Sequence, residues 1–126
     1  PASCPPIEAD RSEMEQLFSN LVSNAIKYNV KQGKIAVNVE SNNGCLKIEV
    51  TDTGIGIDKD DLSQVFDDFY RVSRPETRYV TGTGLGLSIV KKIVESHFGR
   101  IGVNSKLNEG TKFTIKFPLK ENKPCV

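Results

Sequence analysis

The stretch EVTDTGIGID, residues 49–58, decides between two folds. Asp-Thr-Gly at the end of an apolar strand is how an aspartic peptidase presents its catalytic carboxylate. An aspartate followed by Gly-x-Gly also suits a loop that touches a nucleotide. The two readings need different surroundings for Asp52. A peptidase sets a dyad of such aspartates at a dimer axis inside an all-β chain. A nucleotide site needs a loop that can approach phosphate and a scaffold to aim it.

Working outward, KIAVNVES (34–41) and CLKIEVTD (45–52) alternate apolar and polar residues around the turn NNG (42–44), which predicts a β-hairpin ending at Asp52. Before it, Met14, Leu17, Phe18, Leu21, Val22, Ala25 and Ile26 fall at steps of three and four, so only a helix gathers them on one face. Asp10 or Ser12 would cap that helix, and Gly33 lies beyond its end. After the hairpin come a short helix from Asp58 towards Val65, the aromatic cluster FDDFYR (66–71) and the polar stretch VSRPETRYVT (72–81), expected as a mobile loop. GTGLGL (82–87) opens a second long helix, with Leu87, Val90 and Val94 in one row, Ile89, Ile93 and His97 in the next, and Gly99 as its stop. RIGVNSK (100–106) and TKFTIKFPL (111–119), joined by LNEG (107–110), make a second hairpin.

The order helix, hairpin, helices, hairpin predicts an α+β fold: a two-layer α/β sandwich with one mixed, mainly antiparallel sheet and three main helices on one face. Two long amphipathic helices and a second glycine cluster have no place in an aspartic peptidase, so the motif match stands in the wrong context.

The chain has 126 residues, 37% hydrophobic and 26% charged, which is enough for a single domain with its own core. A formal net charge of +1 excludes a broad polyanion-binding face, so nucleic acid is not expected as a partner. Cys4, Cys45 and Cys125 are odd in number, widely spaced and free of metal-ligand spacing, which indicates neither a zinc site nor a disulfide framework and fits a reduced, cytoplasmic compartment. No apolar run approaches the ~20 residues of a membrane span and no signal peptide opens the chain, so membrane contact is not expected of it. PASCPP at the front and ENKPCV at the back look like frayed ends, and the abrupt start suggests a piece of a longer protein.

On the first helix Asn20, Asn24 and Lys27 recur at i, i+4 and i+7 and form one polar stripe beside the apolar face. Asparagine mid-helix is locally unfavourable, and a solvated flank explains any one of these residues. Two amides and an ammonium in register also suit Mg²⁺ held by amide oxygen and shared with phosphates. Glycines 82, 84 and 86 leading into a helix let backbone N–H groups approach an anion. No Gly-Lys-Ser/Thr follows, which excludes a Walker A loop, and no strand with a spaced acid supports a dinucleotide fold. Arg71, Arg74 and Arg78 stand just before these glycines. Asp52 can then accept a hydrogen bond from an adenine amino group.

Together these motifs resemble the ATP-binding catalytic domain of sensor histidine kinases, within the GHKL ATPase superfamily. NLVSNAIKY is similar to its N box, DTGIGI to the G1 box, FDDFYR to the F box, GTGLGLSIVKKIVESH to the G2 box, and EGTKF to the last glycine-threonine motif. The likeness runs from about residue 7 to residue 119, in family order and spacing. It implies ATP and Mg²⁺ as cofactors, with Asn24 as metal ligand assisted by Asn20, and Lys27 and Tyr28 on the phosphates. It implies Asp52 on adenine, Gly54, Gly56 and Ile57 along the pocket wall, and Thr111 supporting Asp52. Phe66 and Phe69 would anchor an ATP lid at 72–81, which Gly82, Gly84 and Gly86 allow to close. Thr83 and Leu85 would meet the triphosphate, and Arg71 would reach the γ-phosphate.

Hydrolytic members of the superfamily carry a glutamate one turn before the metal asparagine, where this chain has Asn20. An amide cannot act as general base, so the γ-phosphoryl should await a better nucleophile. The resemblance implies transfer to a histidine on a missing dimerisation domain, then relay to the receiver domain of a response regulator. The alternatives are a serine-directed anti-sigma-type kinase and a non-catalytic nucleotide-sensing module. His97, the only histidine, reads as a helix-end packing residue rather than the acceptor. The isolated chain, residues 1–126, is thus expected to be a monomeric catalytic domain of a parent that is either soluble or membrane-anchored. Asn29 for threonine, Phe98 for glycine and a proline-bearing lid are its departures from the family pattern.

Overall fold

The computed structural model describes residues 10–29, 32–42, 44–62, 64–67 and 86–118. Helix α1 (Arg11–Lys27), strands β1 (Ile35–Asn42) and β2 (Cys45–Asp52), helix α2 (Lys59–Leu62), helix α3 (Gly86–Ser96) and strands β3 (Arg100–Lys106) and β4 (Gly110–Pro118) follow in that order. Phe69, Arg71, the expected lid, Gly82, Thr83, Gly84 and Leu85 lie outside the described residues.

The strands form one sheet in the order β1-β2-β4-β3. All three pairings are antiparallel, and β2 pairs with β4 from Cys45↔Pro118 at one end to Asp52↔Thr111 at the other. Strand alternation sends Leu46, Ile48 and Val50 of β2 and Phe113, Ile115 and Phe117 of β4 into the core. Leu17, Leu21 and Ala25 of α1 and Val90, Ile93 and Val94 of α3 close over that face. Each of the larger side chains contributes about 1.5–3 kcal/mol by leaving water, and Ala25 less. The opposite face carries charge, with Lys47 Nζ 2.7 Å from Glu40 Oε1 and Lys112 Nζ 3.3 Å from Glu49 Oε2.

Asp10 is the cap of α1, its Oδ1 accepting from the Glu13 N–H at 2.9 Å. Ile26 departs from the expected apolar stripe and is 62% exposed. It stands nine residues after Leu17, about half a turn away around the helix. The middle helix α2 is a single turn with no buried residue. Asp58 starts it, its Oδ1 accepting from the Asp60 N–H at 3.1 Å.

The end of α3 differs in detail from expectation. Phe98, not Gly99, takes the left-handed conformation, at φ 63. The Phe98 N–H donates to the Glu95 carbonyl and the Gly99 N–H to the Val94 carbonyl, the paired bonds of a Schellman cap. Gly99 is needed for another reason: a Cβ there would lie 2.6 Å from the Lys116 carbonyl oxygen. His97 packs as expected. Its Nδ1 lies 2.8 Å from the Ile93 carbonyl oxygen, and its Nε2 accepts from the Asp10 N–H at 3.1 Å, joining the end of α3 to the start of α1.

Cys45 is disulfide-bonded, which corrects the expectation of free thiols at this position. Cys4 and Cys125, the other cysteines, lie outside the described residues. Sequence spacing does not show which distant cysteines fold into reach of one another. Among the described residues no helix is long and apolar enough to cross a membrane.

Candidate functional site

Where α1 ends, the sheet ends too, and a cleft opens between them. It holds about 510 Å³ of space, part of it open to solvent, lined by Asn24, Tyr28, Asp52, Ile55, Gly56, Ile57, Val65, Leu87 and Thr111. Four aliphatic side chains and a few convergent polar groups are the make-up expected of a small-molecule site.

Asp52 is the last residue of β2, and the β2 alternation that buries Leu46, Ile48 and Val50 buries it as well, to 8% exposure. Its Oδ1 accepts from the Gly54 N–H at 2.8 Å. Burial pushes the carboxyl above its ordinary value, and the backbone N–H groups of Gly54 and Thr111 pull the other way. Desolvation wins that contest, so the carboxylate is held at some expense in this cleft.

The loop after Asp52 is fixed by close backbone contacts. The Ile55 N–H donates to the Tyr28 carbonyl at 3.0 Å, and the Asn108 N–H to the Ile55 carbonyl at 2.7 Å. A Cβ on Gly54 would stand 2.3 Å from the Tyr28 oxygen, and one on Gly56, at φ +74, 2.1 Å from the Lys106 oxygen. Gly54 is therefore required by contact, and Gly56 by contact and by its left-handed conformation. Asn29 joins the same scaffold. Its Nδ2 donates to the Lys34 carbonyl at 3.1 Å, and its Oδ1 accepts from the Thr53 hydroxyl at 3.2 Å.

Of the expected site residues, Asn24, Tyr28, Asp52, Gly56, Ile57 and Thr111 share the cleft wall. Gly54 is buried against the Tyr28 carbonyl and Asp52, both of which belong to residues of that wall. Asn20, Lys27 and Gly86 do not line it. Lys27 is exposed, and the Asn20 amide donates to the Gly86 carbonyl at a long 3.5 Å. Phe66 packs edge-on against Phe113, with ring centroids 6.1 Å apart. Sequence reading missed Ile55, Val65 and Leu87 as lining residues. Ile55 was legible as the residue between two glycines, whereas Val65 and Leu87 reach the cleft only through tertiary packing.

The sequence profile described as histidine kinase-, DNA gyrase B-, and HSP90-like ATPase matches residues 9–121. The chain belongs to this ATPase family.

The sensor protein RprX of Bacteroides fragilis is 45% identical to this ATPase domain over 123 residues, 96% of this chain and 24% of that protein. The sensor histidine kinase WalK of Bacillus subtilis is 42% identical over 117 residues, 91% of this chain and 19% of WalK. The ATPase domain thus spans about a quarter or less of the curated relatives it matches. A mycobacterial sensor histidine kinase, MprB, superposes with a TM-score of 0.80 at 29% identity, covering 89% of this chain and 76% of that one. The α+β sandwich is therefore the fold of histidine kinase catalytic domains.

Proposed function

We propose that this domain binds Mg-ATP and supplies the γ-phosphoryl to a histidine on the dimerisation domain of a parent sensor kinase, which passes it to the receiver domain of a response regulator. The observation that carries the reading is Asp52: a buried carboxylate at the inner wall of an aliphatic cleft, with Asn24 of α1 lining the same cleft. Family membership supplies the nucleotide, and Asp52 supplies a place for its base.

In this reading Asp52 accepts from the adenine amino group, and Gly54, Gly56 and Ile57 shape the wall against which the ring lies. Thr111 stands beside Asp52 across the β2–β4 ladder. Asn24 offers a hard amide oxygen of the kind Mg²⁺ takes. Among the described residues there is no cluster of three or more His, Cys, Asp or Glu able to hold a metal, so phosphate oxygens and water would complete the shell. Bound there, the cation would offset phosphate charge. Asn20 assists through its amide oxygen, the nitrogen being directed to Gly86. Lys27 and Tyr28 meet the phosphates. By resemblance Phe69 anchors the lid, Gly82, Gly84 and Gly86 allow it to close, Thr83 and Leu85 meet the triphosphate, and Arg71 reaches the γ-phosphate.

Asn20 stands one turn before Asn24, where a hydrolytic relative has a glutamate. With no general base at that position, water is a poor acceptor and a partner's imidazole the better one. The test is calorimetric titration of a non-hydrolysable ATP analogue with and without Mg²⁺, followed by ATP-dependent labelling of a histidine-bearing dimerisation domain. Steady phosphate release by the domain alone would overturn the transfer reading. Binding without labelling would leave a nucleotide-sensing module.

A further inference from the structure

The inner wall of the cleft holds a small hydroxyl network whose protons can be counted. Ser105 of β3 makes three close contacts through one oxygen. The Ile57 N–H donates to Ser105 Oγ at 2.7 Å. Ser105 Oγ is 2.8 Å from the Gly110 carbonyl oxygen and 2.8 Å from Thr111 Oγ1. A serine hydroxyl has one proton and two lone pairs. The Gly110 carbonyl has no proton to give, so the Ser105 proton must lie there. Both Ser105 lone pairs then accept, one from Ile57 and the other from Thr111. The Thr111 proton is consequently turned into the wall, and its oxygen presents only lone pairs to the cleft.

Asp52, the register partner of Thr111, is also acceptor-only when ionised. The two polar side chains of the inner wall therefore present acceptors alone. We infer that Ser105 is a positioning residue for base selectivity: by holding the Thr111 proton inward, it makes the wall accept an amino edge and oppose a carbonyl edge. The inference rests on the nucleotide reading above. Ser105 does not touch the ligand. It acts through Thr111, and through Ile57 it also pins the glycine loop.

The test uses the whole chain with Mg²⁺ and two probes, ATP and inosine triphosphate, which differ in having an amino or a carbonyl group at the six-position. Wild type should favour ATP. In Ser105→Ala the Thr111 proton is released to face the cleft, and the ratio of the two dissociation constants should shrink roughly fivefold, about the worth of one net hydrogen bond. Ser105→Thr keeps the hydroxyl and should restore the ratio. Thr111→Val removes the acceptor and should also shrink it, and Ser105→Ala added to Thr111→Val should change the ratio no further. Equal weakening of both probes in Ser105→Ala would overturn the inference, since a merely loosened loop affects both alike. If Ser105→Ala does not fold, an unchanged ratio in Thr111→Val overturns it equally. Wild type that binds neither probe sinks the nucleotide reading, and this inference with it.

Discussion

The Asp52 end of the cleft and the Asn24–Lys27 end are built by different means. Around Asp52 nearly every group is fixed by backbone: Gly54 and Gly56 fit where no Cβ fits, and Ser105 ties Ile57 to Gly110 and Thr111. Along α1 the polar groups are side chains on a helix surface, half-buried at Asn20 and Asn24 and exposed at Lys27. Under the proposed function the first end would take a flat, weakly charged ring, for which a wall shaped before the ligand arrives is an advantage. The second would meet a flexible, highly charged chain, for which long-range attraction suffices and a rigid cradle is unnecessary.

Several changes would sharpen or break this contrast. The largest effect is expected at Gly56→Ala, where the left-handed backbone and the Lys106 carbonyl both oppose a methyl. It should cost about 3 kcal/mol or more of stability, read by denaturant unfolding. A near-neutral result would mean the loop is not rigid. Next, Asp52→Ala should weaken binding of the ATP analogue about 100-fold at both low and high salt, the worth of a hydrogen bond to a buried charge. Lys27→Ala should weaken it only a few-fold, and mostly at low ionic strength. Equal salt dependence for these two variants in calorimetry would erase the distinction between the ends.

Phe98→Gly lies away from both ends and relieves a left-handed phenylalanine. It should add about 1 kcal/mol of stability, a melting point higher by a few degrees, with binding unchanged. The smallest effect concerns pH. Burial raises the Asp52 pKa in the folded state, so the native protein holds that proton more tightly than the unfolded chain does. The contribution of Asp52 to stability is therefore most favourable below its unfolded pKa, and it falls as pH rises to the folded one. Unliganded Asp52→Asn should gain on wild type across that window and stay slightly more stable at neutral pH while binding poorly. Melting curves at stepped pH would show the gap, and a gap of opposite sign would place Asp52 in a more hydrated setting.

Much of this was legible from local pattern. Period-two alternation gave both hairpins, and of the two cap candidates for α1, Asp10 and Ser12, the structure uses Asp10. The cleft residues Asn24, Tyr28, Asp52, Gly56, Ile57 and Thr111 came from motif likeness, and the fold brings them together. What escaped depends on contacts between distant segments. Val65 and Leu87 line the cleft because of how their segments pack. Ser105 reads as an ordinary strand serine until β3 lies beside β4. Phe98 was recognisable as unusual, but its role as the left-handed residue of the cap follows from the hydrogen bonds that end α3. The disulfide at Cys45 had no signal in spacing.

The bond from the Asp10 N–H to His97 acquires a further meaning from its position. It sits at one end of α1, whose 17 residues span about 25 Å, and the cleft sits at the other. Between them run the unbroken antiparallel ladder of β2 with β4 and a densely filled interior, neither of which bends easily. A push or twist delivered at Asp10 would therefore be carried as leverage, swinging the cleft as one piece with the rest of the domain and leaving its internal shape unaltered.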